Sequence, residues 1–311
     1  MKIISSLLLA MILSSGLSAQ FDILDSGGPI LPEQAAYDVK FYDLTLKVMP
    51  DDKFIQGKLR MDAQIVHPLD LLVMDLDTLL SVSAITEHQS GRDISRNFYR
   101  KDGRIYIPLL TTRQSGEKIS VSVEYSGNPR VAPRAPWDGG FTWAKTPSGA
   151  HWIATTCQTN GADLWWPCKD HVSDEPDAMA LHINVPDPLI AACNGKLVRM
   201  DKLPDNTTTY HWNISTTINI YNVALNIAPY KVIEDTYQSI AGDVFPFVFY
   251  VLPEDYEKGL VLFEEMKRHV AFFEKYLGPY PFRADKYGVA HTPHLGMEHQ
   301  TIIAYGAKFN N

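Results

Sequence analysis

The alternation of apolar and polar residues constrains this fold most, because it recurs at a period of two along much of the chain between residues 37 and 252. That period is typical of a strand with one buried face, since successive side chains point to opposite sides of a sheet. Short strands separated by turns such as Pro50-Asp51-Asp52 predict a mainly β chain, an antiparallel saddle or sandwich. The alternating stretches are residues 55–65, 105–107, 119–125, 181–185 and 221–227.

The alternation changes phase once, near the start of this region. Apolar residues occupy odd positions up to Phe41 and even positions from Leu44 onward. A shift of one residue moves every side chain to the opposite face of a strand. The sequence therefore predicts a β-bulge or bend near Tyr42-Asp43.

The segment from Val131 to Asp177 interrupts the strands and is rich in Pro, Gly and Trp. Long irregular segments carry function more often than regular elements do. The alternative is that Trp165, Trp166 and Pro167 close a hydrophobic core, and composition supports both interpretations equally.

After Tyr250 the apolar spacing becomes helical. Pro253 is a suitable first helical residue, and the pattern ends at Gly278-Pro279, so one amphipathic helix of about six turns is expected. A second, α+β domain is predicted to begin near residue 247 and to run to 311, after a first domain of residues 20–246. The apolar helical positions are Leu260, Phe263, Met266, Val270, Phe273 and Leu277.

The last 25 residues are predicted to contain two short strands, Tyr287–Ala290 and Thr301–Tyr305, with the loop HTPHLGMEH between them. The histidines and Glu298 of this loop are all potential zinc ligands. Pro293, however, prevents a helical arrangement of the neighbouring histidines, so ordinary hydrogen bonding is favoured over a metal site. A carboxylate such as Glu298 in a cleft can instead hold a substrate ammonium group, although it can also be a solvated residue or a helix cap.

The first residues are typical of an export signal. Lys2 gives a positive start, residues 3–13 are apolar, and Leu17-Ser18-Ala19 is a plausible cleavage site before Gln20. Residues 1–19 are therefore predicted to be a signal peptide, with a periplasmic or secreted destination and no membrane span after cleavage. The alternative is a buried N-terminal helix.

Composition excludes some classes of function. With 28 basic and 36 acidic side chains the formal charge is -8, and no basic stripe is present, so nucleic acid is not an expected partner. Three cysteines cannot form the framework of a disulfide-rich fold, and at least one must remain unpaired. A bridge between Cys157 and Cys168 is possible but not required.

Several separated blocks of the sequence resemble the zinc aminopeptidases of the aminopeptidase N and leukotriene hydrolase type, peptidase family M1. The resemblance runs from about Tyr37 to the end of the chain. It implies a β-saddle first domain followed by the start of a thermolysin-like catalytic domain. The blocks are CQTNGADLWWPCKDHVSDEPD from Cys157, CNGKLV from Cys193, YNVALNIAPY from Tyr221, FFEKYLGPYPF from Phe272, and LGMEH from Leu295.

The resemblance also implies roles for particular residues. Gln158 matches the polar first-domain residue that helps to bind the amino end of the substrate. Gly296 and Met297 match the backbone that pairs with an extended peptide. Glu298 matches the glutamate that anchors the free α-amine and so restricts cleavage to the first residue.

Two departures from the family pattern limit what the chain can do. Leu295 stands where the motif has its first glycine, and His299 stands where it closes with asparagine, which affects the first side-chain pocket and the setting of Glu298. The zinc-binding sequence HExxH is absent from the 311 residues. The expected substrate-binding set is Gln158, Leu295, Gly296, Met297, Glu298 and His299.

From these departures we expect an N-terminal fragment of an exported zinc aminopeptidase, with zinc in the complete enzyme but no catalytic residue and no metal ligand in this chain. Its expected partners are a peptide with a free N-terminus and either the missing catalytic segment or a docking protein. Two alternatives are an exported peptide-binding module that lost its catalyst, and a structural domain that docks another protein.

Overall fold

Strands make up most of the chain that the computed structural model describes, residues 28–309. The predicted signal peptide lies outside the described residues. The helices are α1 (Pro32–Ala35) and α2 (Tyr256–Leu277), with 3-10 turns at Ala162–Leu164, Ile220–Asn222 and Pro253–Asp255. The strands are β1 (Tyr37–Met49), β2 (Phe54–Ile65), β3 (Leu69–Asp75), β4 (Leu80–Gln89), β5 (Arg92–Ser95), β6 (Tyr99–Lys101), β7 (Arg104–Arg113), β8 (Lys118–Gly127), β9 (Gly140–Lys145), β10 (His151–Thr156), β11 (Ala178–Pro186), β12 (Ile190–Cys193), β13 (Lys196–Lys202), β14 (Thr207–Ile214), β15 (Leu225–Ala228), β16 (Lys231–Gln238), β17 (Val244–Val251), β18 (Tyr287–His291) and β19 (Ile303–Tyr305).

The first unit, which we call the saddle, is built from three sheets. The largest has eight strands in the order β13-β14-β11-β1-β2-β8-β4-β5, and β12-β15-β10-β9 and β3-β7-β6 form two smaller sheets. Every pairing in these sheets is antiparallel except that of β1 with β11. The mainly β, largely antiparallel fold predicted from the alternation is confirmed.

The predicted β-bulge exists, slightly earlier than expected. The register between β1 and β2 shifts between Val39 and Phe41, so the extra residue is Lys40. The alternation located the shift only to within a few residues, because Tyr42 is apolar enough to fit either phase and is itself buried. A second expectation, a strand over residues 221–227, is only partly met, since a 3-10 turn occupies Ile220–Asn222 and β15 starts at Leu225.

The Trp-rich segment closes the core of the saddle. Trp165 and Trp166 are fully buried, and Trp166 meets the ring of Tyr42 edge-on at 5.0 Å. The cysteines are also buried there and all three are free, so the possible bridge between Cys157 and Cys168 does not form. Burial raises the pKa of Cys193 to about 12, which keeps it a neutral thiol.

The C-terminal unit is organised around a separate four-stranded sheet. Its sheet has the order β16-β17-β18-β19, and β17 and β18 run parallel. The boundary predicted at residue 247 falls inside β17. By sheet membership the unit starts at Lys231, and a separate hydrophobic core joins Ile233, Phe247 and Val289.

Helix α2 packs part of its apolar surface against this sheet, and the rest of its apolar surface is exposed. Leu262, Phe263, Met266 and Val270 are buried, as the helical spacing requires. Three of the six predicted core positions, Leu260, Phe273 and Leu277, are instead exposed. No helix among the described residues is long and apolar enough to cross a membrane. The apolar residues exposed on what we call the outer face of α2 are Val261, Phe272, Phe273, Tyr276 and Leu277.

Buried polar contacts join the two units. The Lys286 ammonium donates to the carbonyl oxygens of Cys193, at 2.7 Å, and Gly195, and it lies 4.7 Å from the centre of the Trp212 ring. The adjacent Asp285 accepts hydrogen bonds from the backbone and hydroxyl of Ser215, the latter at 2.6 Å. Such groups are costly to bury unless they are paired, so they favour one arrangement of the two units.

Candidate substrate-binding site

The loop that contains Glu298 lies between β18 and β19 and is attached to the saddle at its start. The carbonyl oxygen of His291 accepts hydrogen bonds from Trp152 Nε1 at 3.0 Å and from the Tyr230 hydroxyl at 2.8 Å. Both donors belong to the saddle and are separated from His291 by 139 and 61 positions. The N-terminal side of the loop is therefore positioned by the saddle as well as by its own sheet.

The C-terminal side of the loop is attached even more closely. Asn194 donates to the carbonyl oxygen of Gln300 at 2.5 Å, and the amide of Gln300 donates to Asn222 Oδ1 at 3.1 Å. Thr301 has a φ of 60°, a left-handed conformation uncommon for threonine, and its hydroxyl accepts from the Gly195 amide at 2.8 Å. These bonds compensate for the unusual backbone, and they fix the loop that carries Glu298 against the saddle.

Two side chains of the saddle converge on one oxygen of Glu298. Gln158 Nε2 donates to Glu298 Oε1 at 3.2 Å, and the Tyr221 hydroxyl donates to the same oxygen at 3.0 Å. Burial and the bond to Glu298 both raise the pKa of Tyr221, so it remains a donor at neutral pH. Glu298 itself is exposed, and within residues 28–309 its Oε2 has no hydrogen-bond partner. The carboxylate is thus oriented on one side and open on the other.

The backbone beside Glu298 divides into a paired and an unpaired position. Met297 is buried, and its N–H and C=O bond Ala304 at 3.3 and 2.9 Å, so both are already used. Successive backbone groups of an extended segment point in opposite directions. Of the two residues expected to pair with a peptide, Gly296 is therefore the one whose backbone faces outward, next to the half-exposed Leu295.

The histidines of the loop lie beneath it rather than at its surface. His291, His294 and His299 are all buried, and burial lowers the pKa of His291 to about 4 and that of His299 to about 3. They are neutral side chains that support the loop. Among the described residues, no three His, Cys, Asp or Glu side chains are placed to hold a metal ion together.

The return of the chain against the loop requires a glycine. A β-carbon at Gly306 would lie 1.7 Å from the carbonyl oxygen of His294. No side chain fits at that distance, so only glycine allows β19 to leave beside the loop.

The sequence suggested Gln158 and Glu298 as binding residues but gave no role to the residues that contact Glu298 and its loop. Tyr221 and Asn222 stand in the block YNVALNIAPY and Asn194 stands in CNGKLV, but neither block assigned them a contact. Their partners lie 77 to 106 positions away along the chain. A tyrosine and two asparagines at such distances give no local pattern that could reveal their role.

The described chain thus joins a β-saddle to an α+β unit and holds an oriented carboxylate at the junction. The family profile described as Peptidase M1 N-terminal domain matches residues 39–221, and the chain belongs to that family. This confirms the resemblance carried by the separated sequence blocks.

Solved structures show the same fold. Crystal structures of the M1 zinc metallopeptidase from Deinococcus radiodurans superpose with a TM-score of 0.74 at 22% identity and cover 94% of this chain. One of them, a mutant, has a Tyr-Ser-Ala substrate bound, and a related mutant structure has L-arginine bound. This chain spans 65% of the length of those proteins.

One relative in sequence is named as a subunit of a transcription factor rather than as a peptidase. Transcription initiation factor TFIID subunit 2 of Drosophila melanogaster is 27% identical over 124 residues, which make up 39% of this chain and 10% of that protein. The match is therefore local.

Proposed function

We propose that this chain provides the substrate-amine recognition part of an exported zinc aminopeptidase. The observation that carries the proposal is the pair of donors, Gln158 and Tyr221, on a single oxygen of Glu298. They fix the carboxylate while Oε2 stays available to the ammonium group of a peptide N-terminus. A charge-assisted hydrogen bond of this kind contributes about 1.5 to 3 kcal/mol.

The neighbouring residues would align the rest of the peptide. The outward backbone of Gly296 can pair with an extended substrate, in the manner of an added strand. Leu295, at the exposed corner before it, would contact the first side chain. Because the amine is held at Glu298, only the first peptide bond would reach a reaction centre beyond this site, which would make the enzyme an exopeptidase.

Zinc is the metal that the family implies for the complete enzyme, and the residues of this chain do not fit its site. HExxH is absent from the sequence, and the described residues contain no set of three possible ligands. We therefore assign no step of metal chemistry to them. Their proposed contribution is binding and orientation of the substrate.

The test measures the binding of Tyr-Ser-Ala to the purified chain by NMR titration. We expect N-acetylation of the peptide to weaken binding by about 10- to 100-fold, because it removes the ammonium group. Glu298→Gln should cause a similar loss. Glu257→Gln, which changes an exposed glutamate on α2, is the matched control and should have no effect. Equal binding of the free and acetylated peptides would contradict the proposal.

Export is tested separately through the N-terminus. If residues 1–19 are a signal peptide, mass spectrometry of the protein isolated from an exporting host should find Gln20 at its start, usually cyclised. Retention of Met1 or Lys2 in the exported fraction would contradict this part of the proposal.

A second candidate function is protein docking, favoured by the outer face of α2. Its exposed apolar residues form a patch of a kind that marks interaction sites. A partner that protects the amides of α2 from hydrogen exchange, while the chain binds no free N-terminus, would favour docking over peptide recognition.

A further inference from the structure

A chain of four polar side chains crosses the eight-stranded sheet, on the opposite side of β11 from the buried Leu181 and Ile183. Asp43, His182, His211 and Asp201 come from four neighbouring strands, β1, β11, β14 and β13 in that order. His182 Nε2 lies 3.2 Å from Asp43 Oδ1, and His211 Nε2 lies 3.0 Å from Asp201 Oδ2. The two inner nitrogens, His182 Nδ1 and His211 Nδ1, are 2.7 Å apart.

The number of protons in this chain follows from its end groups. Ionised Asp43 and Asp201 can only accept, so each histidine must carry a hydrogen on Nε2. If both rings were neutral, the lone pairs of the two Nδ1 atoms would then face each other across 2.7 Å. Two lone pairs repel at that distance, so a cation must lie between them. A single shared proton is the smallest cation that fulfils this condition.

The same arrangement is the one that orients histidines as metal ligands. A histidine that binds a metal through one nitrogen usually donates its other N–H to a carboxylate, which fixes the tautomer and the ring. Here both rings have that carboxylate, and both free lone pairs converge. Register pairing of His182 with His211 across β11 and β14 makes the convergence a property of the backbone.

The type of ligand indicates which metals fit. Imidazole nitrogen suits Zn²⁺, Cu²⁺ and Ni²⁺. Nitrogen sites also bind Cu²⁺ more tightly than the other divalent metals of the first transition row.

We propose that His182 and His211 form a two-histidine site for a divalent transition metal, with Cu²⁺ bound most tightly. The metal ion occupies the place between the two Nδ1 atoms, any proton held there passes to the solvent, and water completes the coordination. Two protein ligands agree with the finding that no three candidate ligands converge among the described residues.

Access supports this site. The side chains of His182 and His211 are 28% and 14% exposed, enough for water to reach the pair. Charges of both signs lie nearby: Asp43 and Asp201 flank the pair, Arg199 contacts Asp201 at 3.1 Å, and Arg60 pairs with Asp43 across β1 and β2.

The experiment is a calorimetric titration of the tag-free chain with Cu²⁺. Glycine is present as a weak competitor. We expect one tight site in addition to any weak background. His182→Gln should weaken binding at this site by at least about 100-fold, and Asp201→Asn, which keeps both ligands, by about 10-fold.

His88→Gln is the matched control. His88 also contacts a carboxylate, Asp93 at 2.7 Å, but its second nitrogen meets the Ser122 hydroxyl rather than another histidine. This variant should bind Cu²⁺ like the unchanged chain. If His182→Gln unfolds, His211→Gln and Asp201→Asn test the same site. Affinity unchanged in all three variants, or loss of equal size in His88→Gln, would show that the pair holds only a proton.

Discussion

The interior of the saddle and the outer face of α2 contain similar large apolar side chains in opposite surroundings. Trp166 and Trp212 are almost completely buried in the saddle, whereas Phe272 and Leu277 expose 58% and 80% of their surface on the helix. The core of the saddle is closed on all sides, in part by Tyr250, Ala290 and Ile302 of the C-terminal unit. The C-terminal unit closes only the side of α2 that faces its sheet, and it is joined to the saddle partly through buried polar groups such as Lys286.

This difference shows that an apolar helical pattern does not by itself identify a core. In the saddle the strands that alternate, such as β2, bury the apolar residues of the pattern. Phe273 and Leu277 continue the helical spacing of the buried Met266 and Val270, yet they are exposed. The two regions should therefore respond very differently to the same substitution.

The sharpest comparison uses one residue type in both regions. Leu181→Ala should lower the free energy of unfolding by about 2 to 5 kcal/mol, because Leu181 is fully buried in β11. Leu277→Ala should change it by less than about 0.5 kcal/mol, because its side chain makes few contacts. Urea denaturation of both variants measures the two values. A loss above about 1 kcal/mol for Leu277→Ala would mean that something covers the outer face in solution.

Within the C-terminal unit, buried polar contacts should add to the stability that its apolar core provides. Buried Glu274 accepts from Ser239 Oγ at 2.6 Å and from the amides of Tyr280 and Ile240 at 2.8 and 3.0 Å. Burial raises its pKa, but these hydrogen bonds outweigh that effect and lower it. Glu274→Gln should cost about 2 kcal/mol at pH 7, because an amide puts a donor against these donors.

The pH dependence of Glu274 has a definite sign. Its folded pKa lies below the unfolded value, so its contribution is present above the unfolded pKa of about 4.5 and is lost as the pH falls through the folded pKa. The difference in unfolding free energy between the unchanged chain and Glu274→Gln should shrink at acid pH. An unchanged difference at pH 3 and pH 7 would rule out an ionised Glu274.

The junction should give a slope of the same sign in a higher pH window. Burial lowers the pKa of Lys286 from 10.5 to about 7, so between these values the unfolded chain binds one more proton than the folded one. The unfolding free energy should therefore rise with pH in this window, by at most about 1.4 kcal/mol per unit. Lys286→Met should abolish this rise. Parallel curves for the two proteins would show that Lys286 stays charged between the carbonyl groups of Cys193 and Gly195.

The smallest expected effect concerns the site at the junction, and it depends on the proposed peptide recognition. Tyr221→Phe removes one of the two donors to Glu298 and should weaken Tyr-Ser-Ala binding about fivefold, close to 1 kcal/mol. The melting temperature should stay the same, since the hydroxyl is partly exposed. Tyr99→Phe, at an exposed tyrosine of β6, is the control. A loss in both variants would mean that the assay does not report on Glu298.

The sequence predicted the saddle well. Among regular structures, only a strand with one buried face makes apolar residues recur at every second position. The residues from Leu181 to Val185 alternate strictly, and the structure buries those that the pattern selects. The helix was predicted in type and length, but not in which of its apolar residues are covered. Burial of Leu262 rather than Leu260 depends on the direction of the sheet that α2 meets, which the local pattern does not contain.

The site was predictable only where a motif carried it. Glu298 and Gln158 were chosen because their surroundings resemble family blocks, and the structure brings them within 3.2 Å. Tyr221 stands in a family block, but its contact with Glu298 depends on a 3-10 turn where alternation indicated a strand. The boundary near residue 247 stays a prediction, and it falls inside β17, which shares a sheet with β16, β18 and β19.

The parallel pairing of β1 with β11 has a consequence for how the protein is made. Strands β2 to β10 lie between these two partners in the sequence, so one edge of β1 has no partner until β11 has left the ribosome. Pairing of such distant segments is slow, because a large loop must close before any contact forms. We expect β1, β2 and β8 to form first and the large sheet to be completed last. In pulse-labelling during refolding, the amides of β11 and β14 should therefore be the later ones to gain protection, and until then the half-made sheet has an open edge available to other chains.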